Sequence, residues 1–210
     1  MIQATRARWS LAVMFLVMGV SSMAWVPRIP EIKSDLGLND AQFGLMLAAS
    51  SVGAVLGAQY SGRLVHRLGS KNTLRISQIV MPLGVITMGL TMTVPGIMAG
   101  LFVMGLGYSA MDIAANSQAV IVEKLTKKRF LASLHGAWSI GTFVTAIFGG
   151  AVVGFLTPGQ NLLVLGLAAV FVFIPLTEQM LSSELDEHKG AEGTSSKMPW
   201  FGGKYILLWA

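Results

Sequence analysis

The chain has no cysteine and little charge. Without cysteine there is no disulfide framework, no thiolate nucleophile and no cysteine-ligated metal. Its three histidines, His66, His135 and His188, are far apart and make no metal motif, so neither a metal nor another cofactor is expected. Charged residues are 12% of the 210 and hydrophobic ones 53%, too little charge to cover the surface of a soluble domain. The apolar residues also come in runs near the roughly 20 residues that an α-helix needs to cross a bilayer. The fold class read from this is an all-α, multi-pass membrane protein with the lipid bilayer as its first partner. The net charge of +5 makes no case for nucleic acid, because lysine and arginine gather in the loops on one side of a membrane protein.

Six apolar runs follow one another. The first covers about Trp9 to Val26, after Arg6 and Arg8. A signal peptide also has a basic start, and Ser22-Met23-Ala24 imitates a cleavage site, but the core is long and bulky Trp25 follows, so the run is read as a retained helix. Pro27 and Pro30 end it, and a loop of mixed charge runs from Arg28 to Asp40. Asn39 or Asp40 caps the second run, about Ala41 to Leu64, in which Ala49, Gly53, Gly57 and Ser61 share one face suited to close helix packing. The third spans about Asn72 to Thr93, and the fourth follows Pro95 to about Val122. The fifth spans Phe130 to Leu156, then Pro158, Gly159 and Gln160 form a turn before the sixth, Leu162 to Leu176. Gly96-xxx-Gly100, Ala132-xxx-Gly136 and Gly150-xxx-Gly154 are weak close-packing motifs.

The domain reading is a bundle at 1–177, a cytoplasmic linker at 178–203 rich in Glu, Ser, Gly and Lys, and the beginning of a truncated seventh helix at 204–210. With six alternating helices, the basic clusters at Arg6 and Arg8, Arg63 to Arg75, Lys124 to Arg129 and Lys189 to Lys204 fall on one side. The other side has only Arg28 and Lys33. The positive-inside rule makes the rich side cytoplasmic, with both termini inside and the plasma membrane as location.

One acidic residue lies deep inside an apolar run. A carboxylate at mid-helix costs about 2.5 to 3.5 kcal/mol on insertion scales, so Asp112 is read as facing protein or water. Tyr108, Asp112 and Asn116 are four apart and form one stripe, while His135 begins a face shared with Ser139 and Thr142, beside Trp138. At similar depth, Asp112 and His135 make a candidate proton-coupling pair, and a structural hydrogen-bond network is the alternative.

These features resemble the amino-terminal six-helix half of a major facilitator superfamily transporter. The family's signature between helices two and three is matched by Gly62, Arg67, Gly69 and Lys71. His66 stands where the family usually has aspartate, and Ser70 where it often has a basic residue. GYSAMDIAANSQ (107–118) and LHGAWSIG (134–141) are similar to a bacterial, sugar-permease-like branch. The resemblance implies a pathway lined by spanning helices one, two, four and five, with Asp112, Asn116, His135 and Trp138 as pathway candidates. It implies alternating access for a small solute, with protons as a possible second cargo, and a cytoplasmic latch at the motif, in which His66 supplies no fixed negative charge. It makes the chain half of a twelve-helix protein, completed by its second half or a homodimer partner, and no enzyme. The alternatives carried are a non-transporting fragment or half-size dimer, and an intramembrane serine protease at Gly107-Tyr108-Ser109-Ala110, against which stands the absence of histidine from runs two and six.

Overall fold

Short polar signals begin and end the helices of this computed structural model, which describes residues 2–185. Asn39 and Gln42 form a capping box, Gln42 N–H donating to Asn39 Oδ1 at 2.9 Å and Asn39 N–H to Gln42 Oε1 at 3.0 Å. Thr157 and Gln160 repeat it, with Pro158 in the first turn of the helix. The helices are α1 (Ile2–Ser22), α2 (Ile29–Asp35), α3 (Asp40–Leu68), α4 (Ser70–Thr91), α5 (Val94–Thr126), α6 (Leu131–Ala151) and α7 (Pro158–Glu178), with 3-10 turns at Val26–Arg28 and Ser183–Leu185. Among the described residues six helices, α1 and α3 to α7, are long and apolar enough to cross a membrane.

Several boundaries differ from the sequence reading. Pro27 and Pro30 do not simply end α1. Each sits in the first turn of a short helical element, where its missing N–H costs nothing. Pro158 to Gln160 is the opening of α7, not a turn before it. The basic stretch Gly62 to Lys71 is scarcely a loop. Gly62, His66 and Arg67 lie in α3, Lys71 lies in α4, and Gly69 alone joins the two helices at φ +84°, a conformation that favours glycine. At the start of the expected linker, Glu178 still belongs to α7, and Met180 and Leu181 are buried against the bundle. The rest of that linker and the seventh-helix start at 204–210 lie outside the described residues.

The bundle is held by α5, which packs along both α3 and α4. Another pair, α1 with α6, leans on α5 and α7 through α1, and α4 and α7 close the back. Close backbone approach makes these pairs. A Cβ on Gly53 or Gly57 of α3 would strike the carbonyls of Phe102 and Leu106. One on Gly84 of α4 would meet the backbone of Gly100 and Met104, and one on Gly141 of α6 the carbonyl of Leu16. Gly136, Gly150 and Gly154 have nothing within 4 Å, so Ala132-xxx-Gly136 and Gly150-xxx-Gly154 are not packing motifs here. α6 packs almost wholly on α1, and α3 and α6 keep large faces exposed, including Leu45, Val52 and Val55 on one and Ile140, Phe143 and Ile147 on the other.

Cross-chain contacts sort the helix ends into two sets. Arg8 reaches Phe130, and Lys71 reaches Glu178, so the start of α1, the α3–α4 junction, the α5–α6 turn and the end of α7 share one end. Arg28 donates to the Leu156 carbonyl and Asn161 to that of Ala24 at the other. This is the alternation that the charge pattern requires. Replacing Gly84 by Leu is expected to destabilise the bundle by about 1–3 kcal/mol through overpacking, whereas Gly44→Leu, at an open position, leaves it unchanged. Thermal unfolding in detergent reads the difference.

Candidate functional site

Where glycines bring helices together they also leave a gap. A cavity of about 270 Å³ opens between α1, α3, α5 and α6, lined by Ser22, Trp25, Ser50, Ser51, Met104, Gly105, Tyr108 and Trp138 among others. Three aromatic side chains and three serine hydroxyls line it, and none of its lining side chains is charged. Local contacts set their positions. Trp25 Nε1–H donates to the Ser22 carbonyl at 3.1 Å, and Ser50 Oγ–H to that of Leu47 at 2.8 Å. The Trp138 indole faces the Tyr108 hydroxyl, yet its buried Nε1–H makes no well-formed hydrogen bond. Such a wall suits an uncharged face of a small solute, stacked on rings and held by hydroxyls.

One turn further along α5 is Asp112. Asn116 Nδ2–H donates to both its backbone carbonyl at 2.9 Å and its Oδ1 at 3.1 Å. His135 on α6 lies within electrostatic reach of the Asp112 carboxylate and packs edge-on against Phe15, ring centroids 5.4 Å apart. The structure thus brings Tyr108, Asp112, Asn116, His135 and Trp138 to the same side of the bundle. His135 is exposed on α6, not enclosed, and Ser139 and Thr142 spend their hydroxyls on carbonyls of their own helix. Sequence reasoning missed Ser22, Trp25, Ser50, Ser51 and Met104. Their available signal was a serine and a tryptophan one turn apart, and paired serines inside an apolar helix.

The basic motif is some way from this cavity and divides in two. His66 and Arg67 are exposed on the last turn of α3, and among the described residues neither joins an ion pair. Lys71 instead turns inward to the end of α7, donating to the carbonyls of Glu178 at 2.9 Å and Met180 at 3.1 Å. Arg75 grips the Glu178 carboxylate with two parallel bonds, of 3.0 and 2.8 Å. Beneath them Gln118 of α5 is fully buried. Its Nε2–H₂ donates to Ser70 Oγ at 2.7 Å and to the Leu181 carbonyl at 3.1 Å, while its Oε1 accepts from Leu181 N–H at 3.0 Å. The segment after α7 is therefore strapped to α4 and α5 by both backbone groups of one residue.

A multi-pass helical membrane protein with a polar-aromatic cavity between its helices is the class that fold and site define. The Major Facilitator Superfamily model matches residues 11–208, and the chain belongs to that family. It is 33% identical, over 84% of its length and 46% of the relative's, to an uncharacterized MFS-type transporter of Yersinia pestis. It is 31% identical to an uncharacterized transporter of Sinorhizobium fredii, over 69% of this chain and 38% of that one. It is 24% identical to a niacin transporter of Acinetobacter baylyi, over 67% and 32%. The chain spans less than half the length of these relatives. The family is one of transporters, and the protease reading of Ser109 has no support from it.

Exchanging Gln118 for Leu leaves the buried N–H and C=O of Leu181 unpaired, at about 1–3 kcal/mol for each. Amide hydrogen exchange at Leu181 is expected to accelerate by about tenfold or more. Glu178→Gln, at an exposed pair screened by water, is expected to leave that exchange nearly unchanged. Exchange mass spectrometry measures both.

Proposed function

We propose that this chain forms one six-helix wall of a secondary transporter that moves a small solute by alternating access. The cavity between α1, α3, α5 and α6 carries the reading, because it sets hydroxyls and aromatic rings in mid-bundle beside the exposed faces of α3 and α6. A second six-helix unit, from the remainder of a longer chain or from a second copy, covers those faces and supplies the facing wall. Relatives of which the matched stretch covers only 46% and 38% support this. Substrate binds at Trp25, Tyr108 and Trp138. Asp112 and His135, next to that cavity on α5 and α6, couple a proton to movement, with Asn116 holding the carboxylate's orientation. The basic end of the bundle is cytoplasmic and the membrane is the plasma membrane. His66 and Arg67, unpaired among the described residues on the exposed turn of α3, meet the second unit when that side closes, and Lys71 anchors the turn to α7.

Uptake of a panel of monosaccharides, polyols and nicotinic acid into proteoliposomes tests the site. Trp138→Ala is expected to lower uptake of any accepted solute by tenfold or more while the protein remains folded, and normal uptake would remove Trp138 from the pathway. Asp112→Asn is expected to abolish the pH dependence of uptake, and an unchanged pH dependence would remove the proton role.

The native lack of cysteine allows orientation to be read directly. A membrane-impermeant maleimide applied to intact cells is expected to label Gly37→Cys, before α3, and not Lys128→Cys, in the α5–α6 turn. The reverse pattern would invert the topology.

A further inference from the structure

A second cavity, of about 510 Å³, lies where the start of α1 meets the α5–α6 turn, between Arg8, Glu123, Arg129, Phe130 and Ser133. The Arg8 guanidinium stands over the Phe130 ring, 5.2 Å from its centroid, and 5.9 Å from that of Trp9. Stacking on two rings holds an otherwise flexible side chain in place. The Glu123 carboxylate shares the cavity but is committed elsewhere. It accepts Phe130 N–H at 2.5 Å and Leu131 N–H at 2.9 Å, and so occupies the start of α6. Arg129 lies within electrostatic reach of it. Among the described residues neither Arg8 nor Arg129 takes part in an ion pair, and their two charges against one carboxylate leave the cavity positive.

Depth decides what fills it. Arg8 precedes the first apolar run directly, and Trp9, 66% exposed, stands where tryptophans mark the boundary between lipid tails and headgroups. Exposed Lys127 and Lys128 extend the positive surface on the adjoining turn. We propose that this cavity binds the phosphate of an acidic phospholipid headgroup, through the guanidinium groups of Arg8 and Arg129. Two guanidiniums offer planar pairs of N–H donors, the geometry that phosphate oxygens take. Glu123 opposes the anion and selects against a second negative charge close to it. A free phosphate shares this chemistry, and the apolar surface around Trp9 favours the lipid.

Native mass spectrometry of the full chain, with phosphatidylglycerol and phosphatidylcholine supplied in equal amounts, tests the proposal. Phosphatidylglycerol is expected as the preferred adduct, and each arginine removed is expected to weaken that preference about fivefold. The double variant R8Q/R129Q is expected to show none. R6Q, in a separate cavity beside Glu178, is expected to keep it. Should the double variant not fold, the single variants R8Q and R129Q decide by the same measure. Equal binding of the two lipids by the wild type, or a preference that survives loss of the arginines, would overturn the proposal. Displacement of the lipid by millimolar inorganic phosphate would reassign the cavity to the free anion and overturn the lipid.

Discussion

Backbone contact at glycine is the constraint on which the rest of this bundle depends. In lipid the helices gain little from burying apolar side chains, so closeness of approach must supply the attraction. The same contacts position the cavity. Gly19 lets α1 rest on the carbonyl of Trp138, whose indole then enters the cavity from α6. Gly105 rests on the carbonyl of Ser50, and both line it. Gly84 draws in the backbone of Met104, a further wall residue. Between α5 and α6 no such glycine contact forms among the described residues. The cavity is thus the region that close packing leaves open, with its rim fixed by rigid neighbours.

At one end of the bundle a second set of interactions ties down the residues just beyond α7. Glu178 is exposed and its pairs with Lys71 and Arg75 are screened by water, so they contribute modestly. Gln118 is the stronger element, because it is buried and meets both backbone groups of Leu181. Removing it strands two polar groups away from solvent, an asymmetry that outweighs the surface pairs. The end of α7, the start of α4 and the last third of α5 therefore form one unit. A movement that disturbed Leu181 would be felt at Ser70, the first residue after the Gly69 junction.

Much of the fold was legible because length and apolarity in a membrane leave only helices, and because charge alternates with their number. Asn39 as a cap and the small face of α3 are local consequences of sequence, and both stand in the structure. Boundaries were less legible. Pro27, Pro30 and Pro158 read as breakers, yet each occupies a first turn, a distinction of one or two positions. Gly62 to Lys71 reads as a loop because it is basic, but charge does not end a helix, and only Gly69 has the backbone conformation that does. For the site, the stripe on α5 was visible by period alone. Trp25 and Ser50 were not, since their convergence depends on how α1 and α3 cross α5. Gly136 and Gly150 fit a packing spacing but point away from every described helix, and a spacing carries no direction.

The motif also shows how one sequence signature can serve two structural duties. Lys71 reaches into its own bundle, where its bonds to Glu178 and Met180 fix the α4 start against α7. His66 and Arg67 point the other way, on an exposed turn, where nothing in the described residues pairs with them. Gly69 makes the division possible. Its positive φ turns the chain within one residue, so that residues only a turn apart on either side face opposite directions. The tight junction keeps that charge outward while Lys71 keeps the junction rigid, so the sequence departure at His66 falls on the outward half and leaves the inward anchor intact.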